Sequence, residues 1–304
     1  MPFIIDENSM KRMRRGLRAR RLRIGPPKTK AERDLFNRMN ALWGEVLFPA
    51  SERIKEMIES NAPDYEIADV IEEALHEAQM KYNIASDDIT WRWIASLDKD
   101  TRAAFHKGLR DSLGVDISAF VDTPEMQLVL QGATLEAAGL IRTIPRDYFG
   151  EVAQAVADNY TGRPLPEGRS LLQQIEHING NNESRAKLIA RDQSSKLIGR
   201  VNQARQQSIG VEMYRWRTIK DRRVVGNPGG LYPVGNQVHG NHYKMEGQIC
   251  SWSDSTVLTR DGGATWVKRD DDMPKTHPGG DLQCRCHPEP IIDVKKVIKY
   301  AQQL

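Results

Sequence analysis

Apolar residues recur every three or four positions through most of the first 210 residues, which is the spacing of an amphipathic helix. A first helix is predicted to end near Pro49, and Pro49 also fits the first turn of the next helix. Asp98 is positioned to cap a later helix, and Asn179-Gly180 to end a short one. We therefore expect a succession of separate helices, the longest of which runs from Arg185 to about Ser208.

The period changes to two at Glu212–Thr218, where bulky and polar residues alternate as in a strand with one buried face. Gln248–Trp252 and Thr265–Lys268 are the next strand candidates, and a Gly-Gly turn precedes the second of them. Pro288-Glu289-Pro290 is expected to limit pairing, and residues 294–304 to form a short amphipathic helix. The predicted fold class is α+β: a predominantly helical N-terminal region, followed by a helix and a small antiparallel β-sheet.

Three tryptophans lie in or beside the predicted strands. Trp216, Trp252 and Trp266 alternate with polar residues, so we expect them to form the core of the sheet. The alternative is a face on which nucleic-acid bases stack.

The overall composition is that of a globular protein rather than of a disordered or membrane-spanning one. The chain has 304 residues, of which 39% are hydrophobic and 28% charged. It has no run of 18 apolar residues and no secretory leader, so we expect no membrane association and a protein that stays where it is made. Three cysteines are too few for a disulfide framework, which favours reduced thiols.

Positive charge is concentrated near the N-terminus. Residues 11–30 contain ten of the 44 Lys and Arg and no acidic residue, so 34 basic residues face 41 acidic ones elsewhere. Such an arm would bind phosphate backbones by releasing counterions, without reading sequence. Two alternatives remain open: a short helix with Met10, Met13 and Leu17 on one side that docks on a partner, or an uninformative tail. The candidate nucleic-acid contacts are Arg12, Arg14, Arg15, Arg18, Arg20, Arg21 and Arg23.

The stretch Val238–His287 holds all three cysteines and four of the seven histidines. Histidine nitrogen and cysteine sulfur are the ligands that structural zinc prefers. The candidate ligands are His239, His242, His277, Cys284 and Cys286. Against zinc, an extended Cys-x-Cys segment would point its thiols to opposite faces. The alternative is that both cysteines are small strand residues, one of them buried, and that no cofactor is bound.

A metal-dependent nuclease is a second hypothesis for this stretch, since His239-Gly240-Asn241-His242 places two histidines beside an amide. Those residues lie in one Gly-flanked loop, however, and the run Asp270-Asp271-Asp272 is more simply a solvated turn. A hydrogen-bonded turn, in which Gly247 permits a positive φ, explains the loop without catalysis.

The order of several short motifs resembles the phage Mu F-like head morphogenesis domain, a family of minor capsid proteins of tailed bacteriophages. The motifs are Ile144-Pro145 at a helix start, Ala190-Arg191 in a long helix, Tyr214–Thr218 with Asp221 and Arg223 after it, His239…His242…Glu246-Gly247, and His277-Pro278-Gly279…Cys284-Arg285-Cys286. The resemblance covers about half of the chain and implies three regions: a basic arm at 1–30, a helical region at 31–143 and a Mu F-like domain at 144–304.

This chain departs from the family pattern in two places. It has Arg191-Asp192-Gln193 where the family commonly has Arg-Thr-Glu, and it carries an insert at 224–238. Arg191, Asp221 and Gly247 are then expected to be structural, with Arg191 pairing with Asp221 or Glu246 across a helix–sheet junction.

The resemblance implies a minor head protein that assists head morphogenesis. Such a protein is present in few copies inside the procapsid near the portal vertex, and in some family members it is ejected with the packaged DNA. The implied partners are the portal protein, the major capsid protein and double-stranded DNA. The implied locations are the capsid interior of the virion and, during assembly, the host bacterial cytoplasm. No enzymatic activity is implied; a metal-dependent nuclease or a free DNA-binding protein of the host are the alternatives.

Overall fold

The computed structural model describes residues 29–113, 123–234 and 239–293, which form helices followed by a small sheet. The α+β prediction is confirmed. The helices are α1 (Thr29–Leu42), α2 (Phe48–Glu59), α3 (Asp64–Leu113), α4 (Pro124–Tyr160) and α5 (Leu171–Ser208). A π-helical turn, Trp43–Leu47, joins α1 to α2, and Pro49 lies in the first turn of α2 as predicted. The seven arginines of the basic arm and the helix predicted at 294–304 lie outside the described residues.

The chain divides into two compact units. Residues Thr29–Ala95 and Gly132–Gln193 form the first, which we call the helical unit, and its core includes the buried residues Leu35, Ile54 and Phe149. The second, the sheet unit, contains residues 96–113, 123–131, 194–234 and 239–293 of the described chain and includes all the strands.

Three predicted helix boundaries are wrong because the helices continue through them. Asp98 lies inside α3 rather than at an N-cap, Pro145 lies inside α4, and Asn179-Gly180 lies inside α5. Asn179 shows the physical reason: its side-chain oxygen accepts a hydrogen bond from the Tyr148 hydroxyl (2.9 Å) and its amide donates to Ser51 (3.0 Å). Tertiary contacts of this kind outweigh a local stop signal.

The sheet is antiparallel throughout, with the strand order β4-β3-β2-β1-β5. Its strands are β1 (Met213–Arg217), β2 (Ile249–Ser251), β3 (Val257–Thr259), β4 (Val267–Lys268) and β5 (His287–Ile291). The alternation in β1 has the predicted effect, since Tyr214 and Trp216 are fully buried.

Two expectations about the sheet are corrected. Pro288 and Pro290 do not prevent pairing, since they lie opposite Trp216 and Tyr214 in the β1–β5 ladder. They are tolerated because β5 is an edge strand, where one side needs no N–H donor. Trp252 is buried with Trp216, but Trp266 is 39% exposed beside the short edge strand β4 and does not belong to the core.

Candidate metal centre

The connection between β1 and β2 carries His242 into the interior of the sheet unit. Gly247 has φ +81°, a conformation that favours glycine, and its N–H donates to the carbonyl oxygen of Trp216 at 2.8 Å. The Glu246 carboxylate accepts hydrogen bonds from the backbone N–H (2.7 Å) and the hydroxyl (3.1 Å) of Thr218. The turn predicted at Gly247 is therefore present, and it fixes the position of His242 relative to β1.

The segment that carries Cys284 and Cys286 is docked on the C-terminal half of α5 through two glycines. A Cβ atom at Gly199 would lie 2.5 Å from the carbonyl oxygen of Pro278, and one at Gly279 would lie 2.7 Å from that of Ser195. Only glycine permits this backbone approach, which accounts for the Pro-Gly sequence in the turn. The N–H of Gly279 also points to the Cys284 sulfur at 3.4 Å.

Both thiols converge on one nitrogen of His242. The Sγ atoms of Cys284 and Cys286 each lie 3.5 Å from Nδ1, and the three potential ligand atoms lie within 4.8 Å of one another. Nε2 of the same ring lies 3.1 Å from Oδ2 of Asp281. All three cluster residues are buried, with 5% or 6% of their surface exposed.

The expectation that the Cys-x-Cys thiols point to opposite faces is wrong, and so is the expectation that only one of them is buried. Gln283 has φ +54°, and residues 284–286 precede β5 without forming part of it. The backbone is therefore not extended here, so the alternation of a strand does not apply. Arg285 pairs with Asp221 (2.8 Å), which holds the residue between the two cysteines away from the cluster.

The cluster strongly perturbs its own acid–base chemistry. The hydrogen bond from Cys286 and the contact with His242 hold the pKa of the Cys284 thiol well below its usual range, despite burial. The same neighbour and burial raise the pKa of Cys286. Burial opposes a charge on His242, but hydrogen bonds to Asp281 and Cys284 outweigh it and raise its pKa to about 10. These residues can hold a metal cation or, without one, an imidazolium–thiolate pair.

His277 and His239 do not belong to this cluster, which among the described residues has three members. Arg269 donates to the Tyr214 hydroxyl oxygen (3.2 Å), and that hydroxyl lies 3.0 Å from Nδ1 of His277. Tyr214 therefore donates to a neutral His277. Burial and the charge of Arg269 lower the pKa of His277 to about 4, which agrees with that assignment.

Arg191 pairs with Glu32 at 3.1 Å, within the helical unit, so the expected pairing with Asp221 or Glu246 is wrong. Glu246 instead pairs with Arg217 at 3.1 Å. The physical reason is proximity: α1 supplies a carboxylate that the sequence pattern did not connect to α5. Asp281 was missed as well, although an acidic residue three positions before Cys284 was a usable signal.

Two further features bear on function. Asp270, Asp271 and Asp272 are exposed, as expected of a solvated turn. A cleft of about 760 Å³ lies between the end of α5 and the sheet, where Val211, Trp252 and Trp266 are among its lining residues; no member of the metal cluster lines it. Within the described ranges, none of the helices combines the length and the apolar character that crossing a lipid bilayer requires.

Comparison with known proteins adds one relative. A Haemophilus influenzae protein, described only as uncharacterized, is 27% identical to this chain over 209 residues. The match covers 68% of this chain and 40% of the relative, so the chain spans less than half of that protein's length. No family model and no solved structure matches the chain.

Proposed function

We propose that this chain is a minor head protein of a tailed bacteriophage, which assists head morphogenesis inside the procapsid near the portal. The observation that supports this proposal is the use made of the motifs that resemble the Mu F-like family. Tyr214 and Trp216 fill the sheet core, Gly247 forms a turn, and Cys284 and Cys286 lie in a buried cluster. These residues stabilise a shape, and a protein that works by occupying a place in an assembly needs a fixed shape.

The helical unit offers a surface for the proposed contact with portal or major capsid protein. Met80, Ile84 and Trp91 are 55%, 76% and 66% exposed, and their spacing of four and seven residues places them on one face of α3. We call them the apolar stripe. Exposed apolar side chains grouped on one face are typical of protein-interaction sites. The basic arm would then contact or accompany the packaged double-stranded DNA.

Head assembly with altered chains tests this proposal. Heads would be produced by cells that carry the wild-type chain, no chain, an Ile84→Asp/Trp91→Asp variant, or the control Tyr65→Asp. Tyr65 is 67% exposed on the same helix but lies outside the stripe. The proposal predicts few or defective heads without the chain and with the stripe variant, and normal heads with the control. Normal head yield in all four cases would contradict it.

The nuclease alternative makes a different prediction. A catalytic metal must be accessible to a phosphodiester, whereas the three residues of the cluster are buried and lie outside the 760 Å³ cleft. We therefore expect no cleavage when plasmid DNA is incubated with the purified chain and Mg²⁺, Mn²⁺ or Zn²⁺. Cleavage that disappears in His242→Ala would favour the nuclease.

A further inference from the structure

We infer that His242, Cys284 and Cys286 bind one zinc ion, and that Asp281 orients the histidine for this role. The inference concerns the chemistry of the cluster and does not depend on the proposed function. It narrows the five candidate ligands of the sequence to three, and it adds a residue that the sequence pattern did not indicate.

The distances carry the first step. Zinc–sulfur and zinc–nitrogen bonds of about 2.3 and 2.05 Å at a tetrahedral angle place sulfur and nitrogen about 3.6 Å apart. The two Sγ–Nδ1 distances are both 3.5 Å. The same bond lengths place two sulfurs about 3.8 Å apart, and all three atoms lie within 4.8 Å of one another. The cluster therefore already has the dimensions of one face of a zinc tetrahedron.

The hydrogen bonds carry the second step. Nε2 of His242 is engaged by Asp281, which leaves Nδ1 as the ring nitrogen that faces both sulfurs. Metal-binding histidines commonly donate their other nitrogen to a carboxylate, which fixes the orientation of the ring. A single Nδ1 can form a good hydrogen bond with only one thiol at a time, whereas a zinc ion contacts both sulfurs at once.

Burial decides between zinc and the reactions that a thiol beside a histidine could otherwise perform. A nucleophilic cysteine must be reached by its substrate, but Cys284 and Cys286 are each only 6% exposed. Both are free thiols, and two cysteines separated by one residue are poorly placed for an unstrained disulfide. Soft thiolate ligands select zinc over magnesium or calcium.

The role of the ion would be structural. It would link three segments of the sheet unit: the loop that carries His242, the turn docked on α5, and the residues that lead into β5. Three protein ligands leave the fourth position of a tetrahedral ion to water. Because the cluster is buried, that water would not meet a substrate.

The test is the zinc content of the full chain, purified without chelators and then equilibrated with excess Zn²⁺ and desalted. We expect about one zinc per wild-type chain, and less than about a tenth of that in His242→Gln, Cys284→Ser and Cys286→Ser. Cys250→Ser is the matched control, because Cys250 is a buried free cysteine of the same unit outside the cluster. It should retain its zinc, and Asp281→Asn should weaken zinc affinity about 10- to 100-fold.

Cobalt titration of the wild-type chain gives a readout that does not depend on how well the variants fold. Bound Co²⁺ should produce visible d–d bands and a thiolate charge-transfer band at one equivalent. The thiols of Cys284 and Cys286 should also resist a disulfide reagent until a chelator is added. A wild-type chain that binds no zinc, that gives no thiolate–cobalt band, or that loses zinc equally in Cys250→Ser would overturn the inference.

Discussion

Replacing Arg205 by methionine is the sharpest test of how the sheet unit is held together. Arg205 is fully buried, and its guanidinium donates to the carboxylate of Asp98 (2.5 Å) and to the hydroxyl of Thr101 (2.7 Å). The Asp98 carboxylate is also bound by Arg102, at 2.9 Å. The same acid therefore has one buried and one exposed arginine partner, since the Arg102 side chain is 39% exposed.

The expected cost follows from burial. Removing one partner of a buried ion pair costs about 3–5 kcal/mol, because the remaining charge stays buried without full compensation. Arg102 still offers Asp98 a partner, which reduces the expected loss for Arg205→Met to about 2–4 kcal/mol. Asp98→Asn leaves the Arg205 charge buried beside neutral acceptors only, so it should cost about 3–5 kcal/mol. Arg102→Met removes an exposed partner and should cost at most about 1 kcal/mol.

Urea unfolding followed by circular dichroism measures these free energies, with Arg102→Met as the matched control. The double variant Arg205→Met/Asp98→Asn should lose less than the sum of the two single losses, by about 1–3 kcal/mol. A loss below about 1 kcal/mol for Arg205→Met, or strictly additive losses, would refute the conclusion that this buried pair stabilises the sheet unit.

Three further predictions concern the turn, a titrating histidine and the arm. Gly279→Ala should destabilise the chain by about 2–4 kcal/mol, since φ is +87° and a Cβ would lie 2.7 Å from the Ser195 oxygen. Gly262→Ala, with φ +76° in open space, should cost only about 1 kcal/mol in the same urea assay. The folded pKa of His277, about 4, lies below its ordinary value of about 6.5, so its stabilisation is complete above about pH 6.5 and is lost as the pH falls through 4. The free energy of unfolding should fall over that range by up to about 3 kcal/mol more than in His277→Gln; equal pH profiles would contradict this. Removing residues 1–28 should reduce the salt dependence of DNA binding by about 0.9 in log–log slope per lost phosphate contact, whereas unchanged slopes in filter binding would exclude the arm from DNA contact.

Periodic patterns predicted the fold well where one residue's burial depends on its neighbours in the chain. Leu35, Met39 and Leu42 were expected on one face of a helix, and all three are buried there. The alternation around Tyr214 and Trp216 likewise predicted the central strand of the sheet. In both cases the local period of apolar residues is itself the physical cause of the structure.

Features that depend on distant partners could not be predicted in this way. Asp98 looks like a helix cap in the local sequence, but its partner Arg205 lies 107 residues away. The cysteines were recognised as candidate ligands, yet their geometry depends on the left-handed φ of Gln283, which no apolar pattern indicates. The same limit explains why Asp281 was missed and why His277 was included.

The central claim, that this protein works by occupying a place in a phage head, is tested most directly by its copy number in assembled particles. Quantitative mass spectrometry of gradient-purified heads would compare peptides of this chain with those of the major capsid protein. The proposal predicts that the chain is present in every preparation at a small fraction of the capsid protein. Its absence from heads, while the intact chain accumulates unassembled in the same cells, would contradict the claim.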